Sequence, residues 1–141
     1  MNERARRGNP NDKNLSTRIE SPRRREEVEG FLNCIDGLIK RYNPNINGDQ
    51  ALYSTPVIPA KLRGDSIEIN IIGKYNKDRQ IVSGTIHIQK IKEGKKIDVS
   101  RGLRKYELPD DRTMRIMKSL LKAVRRLYNK ADKDKSVPRQ F

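Results

Sequence analysis

The feature that most limits the fold is a pair of alternating apolar runs joined by a turn. Ile67, Ile69 and Ile71 alternate with Ser66, Glu68 and Asn70. A repeat of two gives a strand over 65–75 one apolar and one polar face. The sequence Asn76-Lys77-Asp78-Arg79 favours a turn. A second strand over 80–91 then sets Val82, Gly84, Ile86 and Ile88 on one face and Ser83, Thr85, His87 and Gln89 on the other. Lys92-Glu93-Gly94-Lys95 turns the chain again, into a short strand from Lys96 to Ser100. Connections this short join antiparallel neighbours, so the segment reads as a meander with one greasy face. Asn45 to Gln50 reads as a turn, and a further strand is expected from Ala51 to Ile58. Pro56 and Pro59 confine that strand to an edge.

A helical repeat brackets the meander on both sides. Val28, Phe31, Leu32, Ile35, Leu38, Ile39 and Tyr42 follow i, i+3, i+4 spacing, which predicts a helix from Pro22 to Tyr42. Ser21 suits its N-cap and Pro22 its first position, while Asn43-Pro44 ends it. Gly30 and Gly37 weaken this helix and are read as places where another element packs closely. Cys34 falls beside the apolar stripe and is read as a packing residue. Leu108-Pro109-Asp110-Asp111 opens a second helix to Lys130, with Met114, Met117, Leu120, Leu121, Val124, Leu127 and Tyr128 on one side. The expected fold is α+β: an antiparallel three- to four-stranded sheet with an N-terminal and a C-terminal amphipathic helix packed on one face. The expected organisation is a disordered basic arm at 1–20, a single α+β domain at 21–131 and a flexible tail at 132–141. The α-β-β-β-α order superficially resembles that of double-stranded RNA-binding domains. That family's second-helix signature is not found at the acidic Leu108-Pro109-Asp110-Asp111, and the chain is not assigned to it.

Charge narrows the function. Thirty-two Lys and Arg against 18 Asp and Glu leave a net charge of +14, with only 33% hydrophobic residues. The core is therefore small, and so large a surplus of one sign calls for an anionic partner. Nucleic acid is the first expectation, and RNA is slightly preferred over DNA because arginine-rich segments often read A-form shape. No run approaches the roughly 18 apolar residues of a membrane-spanning helix. Met1 to Arg7 lead into no apolar stretch, so an intracellular protein without integral membrane association is expected. The lone Cys34 and lone His87 give neither an internal disulfide nor a Cys/His zinc site, and no metal or cofactor is expected.

Four groups of cations are the candidate nucleic-acid-binding residues. Arg4, Arg6 and Arg7 lie in the arm. Arg23, Arg24 and Arg25 occupy the first helical turn, where the helix dipole favours acids; a bound phosphate would reverse that conflict. Arg101, Arg104 and Lys105 sit in what reads as a basic loop, Arg101-Gly102-Leu103-Arg104-Lys105. Arg115, Lys118, Lys122, Arg125 and Arg126 line the polar side of the last helix, with Lys130 beyond, and no acid of that helix interleaves them. The chain has no Trp; Tyr53, Tyr75 and Tyr106 are the tyrosines outside the helical core registers. So few stacking surfaces favour phosphate contact over base reading.

His87 sits mid-strand among polar neighbours, and neither a nucleophile motif nor a phosphate-binding glycine loop is present. A non-enzymatic protein is expected, and the open sheet makes a homodimer plausible. Two other readings compete: an assembly subunit of nucleocapsid-like or ribosome-associated type, and an adaptor for an acidic protein or an anionic membrane surface.

Overall fold

The computed structural model describes residues 21–46 and 51–134. The expected arm at 1–20 with Arg4, Arg6 and Arg7, positions 47–50 of the turn expected at 45–50 and positions 135–141 of the expected tail lie outside the described residues. Helix α1 spans Ser21–Tyr42, one residue longer than expected at its start. Five strands follow: β1 Leu52–Ser54, β2 Ile58–Leu62, β3 Asp65–Tyr75, β4 Ile81–Lys92 and β5 Lys95–Arg104. Helix α2 spans Asp111–Lys133. The class is α+β, with two helices and an antiparallel five-stranded sheet. None of the described helices is long and apolar enough to cross a membrane.

The single strand expected at 51–58 is two. β1 and β2 lie end to end along the same edge of β3: Ser54 pairs with Ile72 and Ile58 with Ile69. Pro56 has no N–H to give, so the ladder breaks there. The Thr55 side chain fills part of the gap. Its backbone N–H donates to the Ile71 carbonyl at 2.9 Å, and its hydroxyl accepts from the Ile71 N–H at 2.9 Å. β2 then turns into β3 through Arg63 and Gly64, both at positive φ, and β4 into β5 through Glu93 and Gly94, also both positive. Two-residue turns of this hand match the twist of a hairpin.

β5 extends to Arg104, well beyond the expected Ser100. The segment read as a loop is strand: Gly102 pairs with Thr85 and Leu103 with Gly84. Leu103 is a core residue. A Cβ on Gly102 would lie 2.5 Å from the Gly84 carbonyl oxygen, so glycine is what lets β5 close on β4. A bulge at Lys74/Tyr75 also shifts the register of β4. Ile81 takes the core position expected of Val82, which lines the open face with Ser83 and Thr85.

Both helices cover the same sheet face. The core joins Val28, Phe31, Ile35 and Ile39 of α1 to Ile67, Ile69, Ile71 and Ile86 of the sheet and Met114, Met117, Leu121 and Val124 of α2. Close packing between α1 and the sheet comes from sheet glycines, not helix glycines. Gly84 sits against Ile35 and Gly73 against Ile39, whereas nothing lies within 4 Å of a Cβ built on Gly30 or Gly37. α2 is held to the broken edge by Tyr128. Its buried hydroxyl lies 2.6 Å from Thr55 Oγ1 and donates to the Pro56 carbonyl at 2.5 Å. α2 ends three residues later than expected, because Asp132 accepts from the Tyr42 hydroxyl at 2.7 Å and pairs with Arg41.

Two stability outcomes follow from these contacts. Tyr128→Phe leaves Thr55 and the Pro56 carbonyl buried with one partner fewer, and urea unfolding should show a loss of about 1–3 kcal/mol. Gly30→Ala with Gly37→Ala adds methyls into open space on a helix, and the same measurement should show a gain of about 1–2 kcal/mol.

Candidate nucleic-acid interface

The two helices run side by side in parallel. Arg24 pairs with Asp111, Glu27 with Lys118 and Arg41 with Asp132, so the N-terminal ends of both helices lie at the same end of the molecule. That layout decides which candidate cations meet. Arg23, Arg115 and Lys118 line one groove of about 330 Å³ between the helices, with Arg24, Glu27, Asp111 and Met114. Arg125 lines a second groove between the same helices, with Cys34, Arg41 and Asn129. Arg25, Lys122 and Arg126 are exposed.

Not every cation there is available. Arg24 is only 15% exposed in its side chain. It bonds to the Asp111 carboxylate, donates to the Asp110 carbonyl at 3.2 Å and lies 3.6 Å from Glu27. Arg24 thus joins α1 to the start of α2. Lys118 is tied to Glu27, an acid of the other helix, so the stripe is neutralised at that point. Among the described residues, Arg115, Lys122, Arg125 and Arg126 have no acidic partner within ion-pair distance. Asp110 and Asp111 do what the sequence suggested: Asp110 caps α2, accepting from the Thr113 N–H at 2.8 Å. That bond holds the Asp110 carboxyl below its usual range.

The β5 cations divide between faces. Arg101 pairs with Ile86 and shares the helix-covered side. It lines a third groove of about 860 Å³ together with Arg112 and Arg115 of α2. Arg104 and Lys105 instead flank a cavity on the open sheet face with Lys74, Ser83, Thr85 and Tyr106. They do not meet the helix cations. Arg63 and Arg112, which periodicity did not single out, belong with the third groove. Arg63 carries a legible signal, since Arg63-Gly64-Asp65 has the composition of a hairpin turn and places a cation at a strand end.

Aromatic surface is scarcer than the sequence suggested. Tyr75 is core: it packs edge-on to Tyr53 at 5.6 Å, and its hydroxyl donates to Asp36 at 2.6 Å. Burial, with that carboxylate beside it, pushes the Tyr75 phenol up. Tyr106 alone of the three is open, 84% exposed, with the Lys105 ammonium 5.8 Å from its ring centroid. His87 lies on the open face, with Nδ1 3.1 Å from Asn70 Oδ1 and Nε2 3.6 Å from Asp98. No family model, no curated protein and no solved structure matches the chain.

The Glu27–Lys118 bond gives this surface a pH dependence. The Lys118 ammonium holds the Glu27 carboxyl below its usual 4.5, against a smaller opposing effect of burial. A lowered folded-state pKa adds stability above the unfolded value and loses it as pH falls through the folded one. Thermal midpoints of the wild type and Glu27→Gln should therefore differ at neutral pH and converge on acidification below 4.5.

Proposed function

We propose that the protein binds nucleic acid without catalysis, through phosphates, along the outer surface of the helix pair. The observation that supports this most is the position of Arg115. It lines both the groove shared with Arg23 and Lys118 and the groove shared with Arg101 and Arg112. Arg23 of α1, Arg112 and Arg115 of α2 and Arg101 of β5 thus make one run across the helix layer, with Lys118 left out because Glu27 holds it. Lys122, Arg125 and Arg126 extend that run along α2, and residues 112–130 cover about 27 Å of helix. A polyanion lying there would meet phosphates at several points. RNA is the preferred class, because arginine-rich surfaces with little aromatic area suit A-form shape and phosphate spacing more than base stacking. A second copy on the same polyanion would double the cations engaged and steepen the salt dependence.

The test is binding of matched single- and double-stranded RNA and DNA across a salt series. Log affinity should fall linearly with log salt. The variant Arg115→Gln, Lys122→Gln, Arg126→Gln removes three exposed cations that have no acidic partner among the described residues, so it should keep the fold. Its salt slope should be shallower by about 2–3 units, close to one unit per lost phosphate contact. A slope equal to that of the wild type overturns the reading.

A further inference from the structure

The third groove differs in kind from the surface above it. Its floor is apolar and comes from both layers: Ile67, Ile88 and Val99 from the sheet, Ile116 and Leu120 from α2. Val99 is 40% and Ile116 42% exposed, in the same lining as the core residue Ile67. Large aliphatic side chains gathered in an open groove mark a place that another apolar surface covers. The groove follows the flank of α2 from Arg112 to Ala123, and 11 residues of rise are about 17 Å, or three helical turns. Its cations stand at both ends. Arg101, Arg112 and Arg115 hold the β5 end, while Arg63 and Lys90 hold the β2–β3 end, where Asp65 pairs with Lys90.

We propose that this groove docks an acidic amphipathic helix of a partner protein, lying alongside α2 as a third helix on the sheet. Charge selects the occupant. The chain carries +14, so a second copy would bring like charge to a cationic rim. The terminal segments outside the described residues are basic as well, with Arg4, Arg6, Arg7, Lys135 and Arg139. An anionic amphiphile with one head group would use the cations at one end only. A helix of three or four turns with acids at both ends and an apolar stripe between them engages Arg101, Arg112 and Arg115 at one end and Arg63 at the other, Lys90 being held by Asp65, and covers Val99 and Ile116. The inference does not rest on nucleic-acid binding, since the apolar floor has no part in phosphate contact.

The probe is a fluorescein-labelled synthetic peptide of about 14 residues, roughly 20 Å as a helix. It carries Leu at i, i+3, i+4 and i+7 and Glu elsewhere, and the comparator has the same composition in scrambled order. Binding is read by anisotropy on the full chain. The ordered peptide should bind about tenfold more tightly than the scrambled one. Val99→Gln with Ile116→Gln should cost it about tenfold, as expected for losing two half-exposed aliphatic contacts. Neither substitution changes charge, so affinity for duplex RNA should stay within about twofold. Equal binding of the two peptides, an unchanged affinity in the double variant, or no binding of the ordered peptide at about 1 mM overturns the proposal. Should the double variant fail to fold, methyl NMR of the wild type decides. Shifts of Ile67, Ile88, Val99 and Ile116 on adding the ordered peptide support docking, and unmoved methyls overturn it.

Discussion

The Tyr128 hydroxyl anchors the arrangement on which the rest depends. A proline at position 56 breaks the edge of the sheet and would leave strand groups without partners in the core. Thr55 and Tyr128 close that gap in one directed chain: the Ile71 N–H donates to Thr55 Oγ1, the Thr55 hydroxyl to Tyr128, and Tyr128 to the Pro56 carbonyl. Burial of the phenol pushes its pKa up. The same ring packs on Tyr42 at 5.7 Å, which brings in the end of α1. One side chain thereby fixes the break in the sheet and the C-terminal ends of both helices. With α2 pinned at that end, Arg115, Lys122 and Arg126 stay exposed, and its residues from Arg112 to Ala123 border the apolar groove together with the sheet.

Acids set the shape of the positive surface by where they are used. Glu27, Asp111 and Asp132 each bind a cation of the other helix, and Asp36 takes the Tyr75 hydroxyl and Lys40. These bonds hold elements in register. Exposed ion pairs contribute little stability individually, but they fix orientation. With the Glu27, Asp111 and Asp132 carboxylates engaged at the seam, Arg115, Lys122 and Arg126 on the outer row of α2 keep no acidic partner among the described residues. Its positive potential follows from the placement of the acids as much as from the number of cations.

Much of this was legible in the sequence. Strands β3 and β4, both turns of the meander and the apolar faces of both helices follow from periodicity, which depends on local geometry alone. What periodicity could not show depends on partners distant in sequence. Gly102 reads as loop until the Gly84 carbonyl stands opposite it. Arg24 reads as a free cation until α2 brings Asp111 to it. Gly30 and Gly37 read as contact points, but the close contacts fall at Gly73 and Gly84, where the large residue is on the helix. Pro56 signalled an edge but not that the chain would resume pairing with the same strand. Of the candidate cations, Arg115, Lys122 and Arg126 fall on the exposed side of α2, where periodicity puts them. Arg63 and Arg112 stood outside the candidate set, because the groove they line exists only once sheet and helix have met.

The parallel pairing of the helices gives the cations unequal weight. Each helix carries about half a positive charge at its N-terminus and half a negative charge at its C-terminus. Lys40, Arg41, Lys130 and Lys133 stand at the C-terminal ends, where the dipoles offset them. Arg23 and Arg25 of α1, with Arg112 and Arg115 of α2, stand at the other end, where both dipoles add to them. α1 has no acid in its first turn, and α2 has Asp111, already bound to Arg24. Asp110 at the N-cap of α2, with Glu26 and Glu29 exposed on α1, offsets part of that positive charge at the same end. That is also the end at which Arg115 joins the groove between the helices to the groove that reaches Arg101.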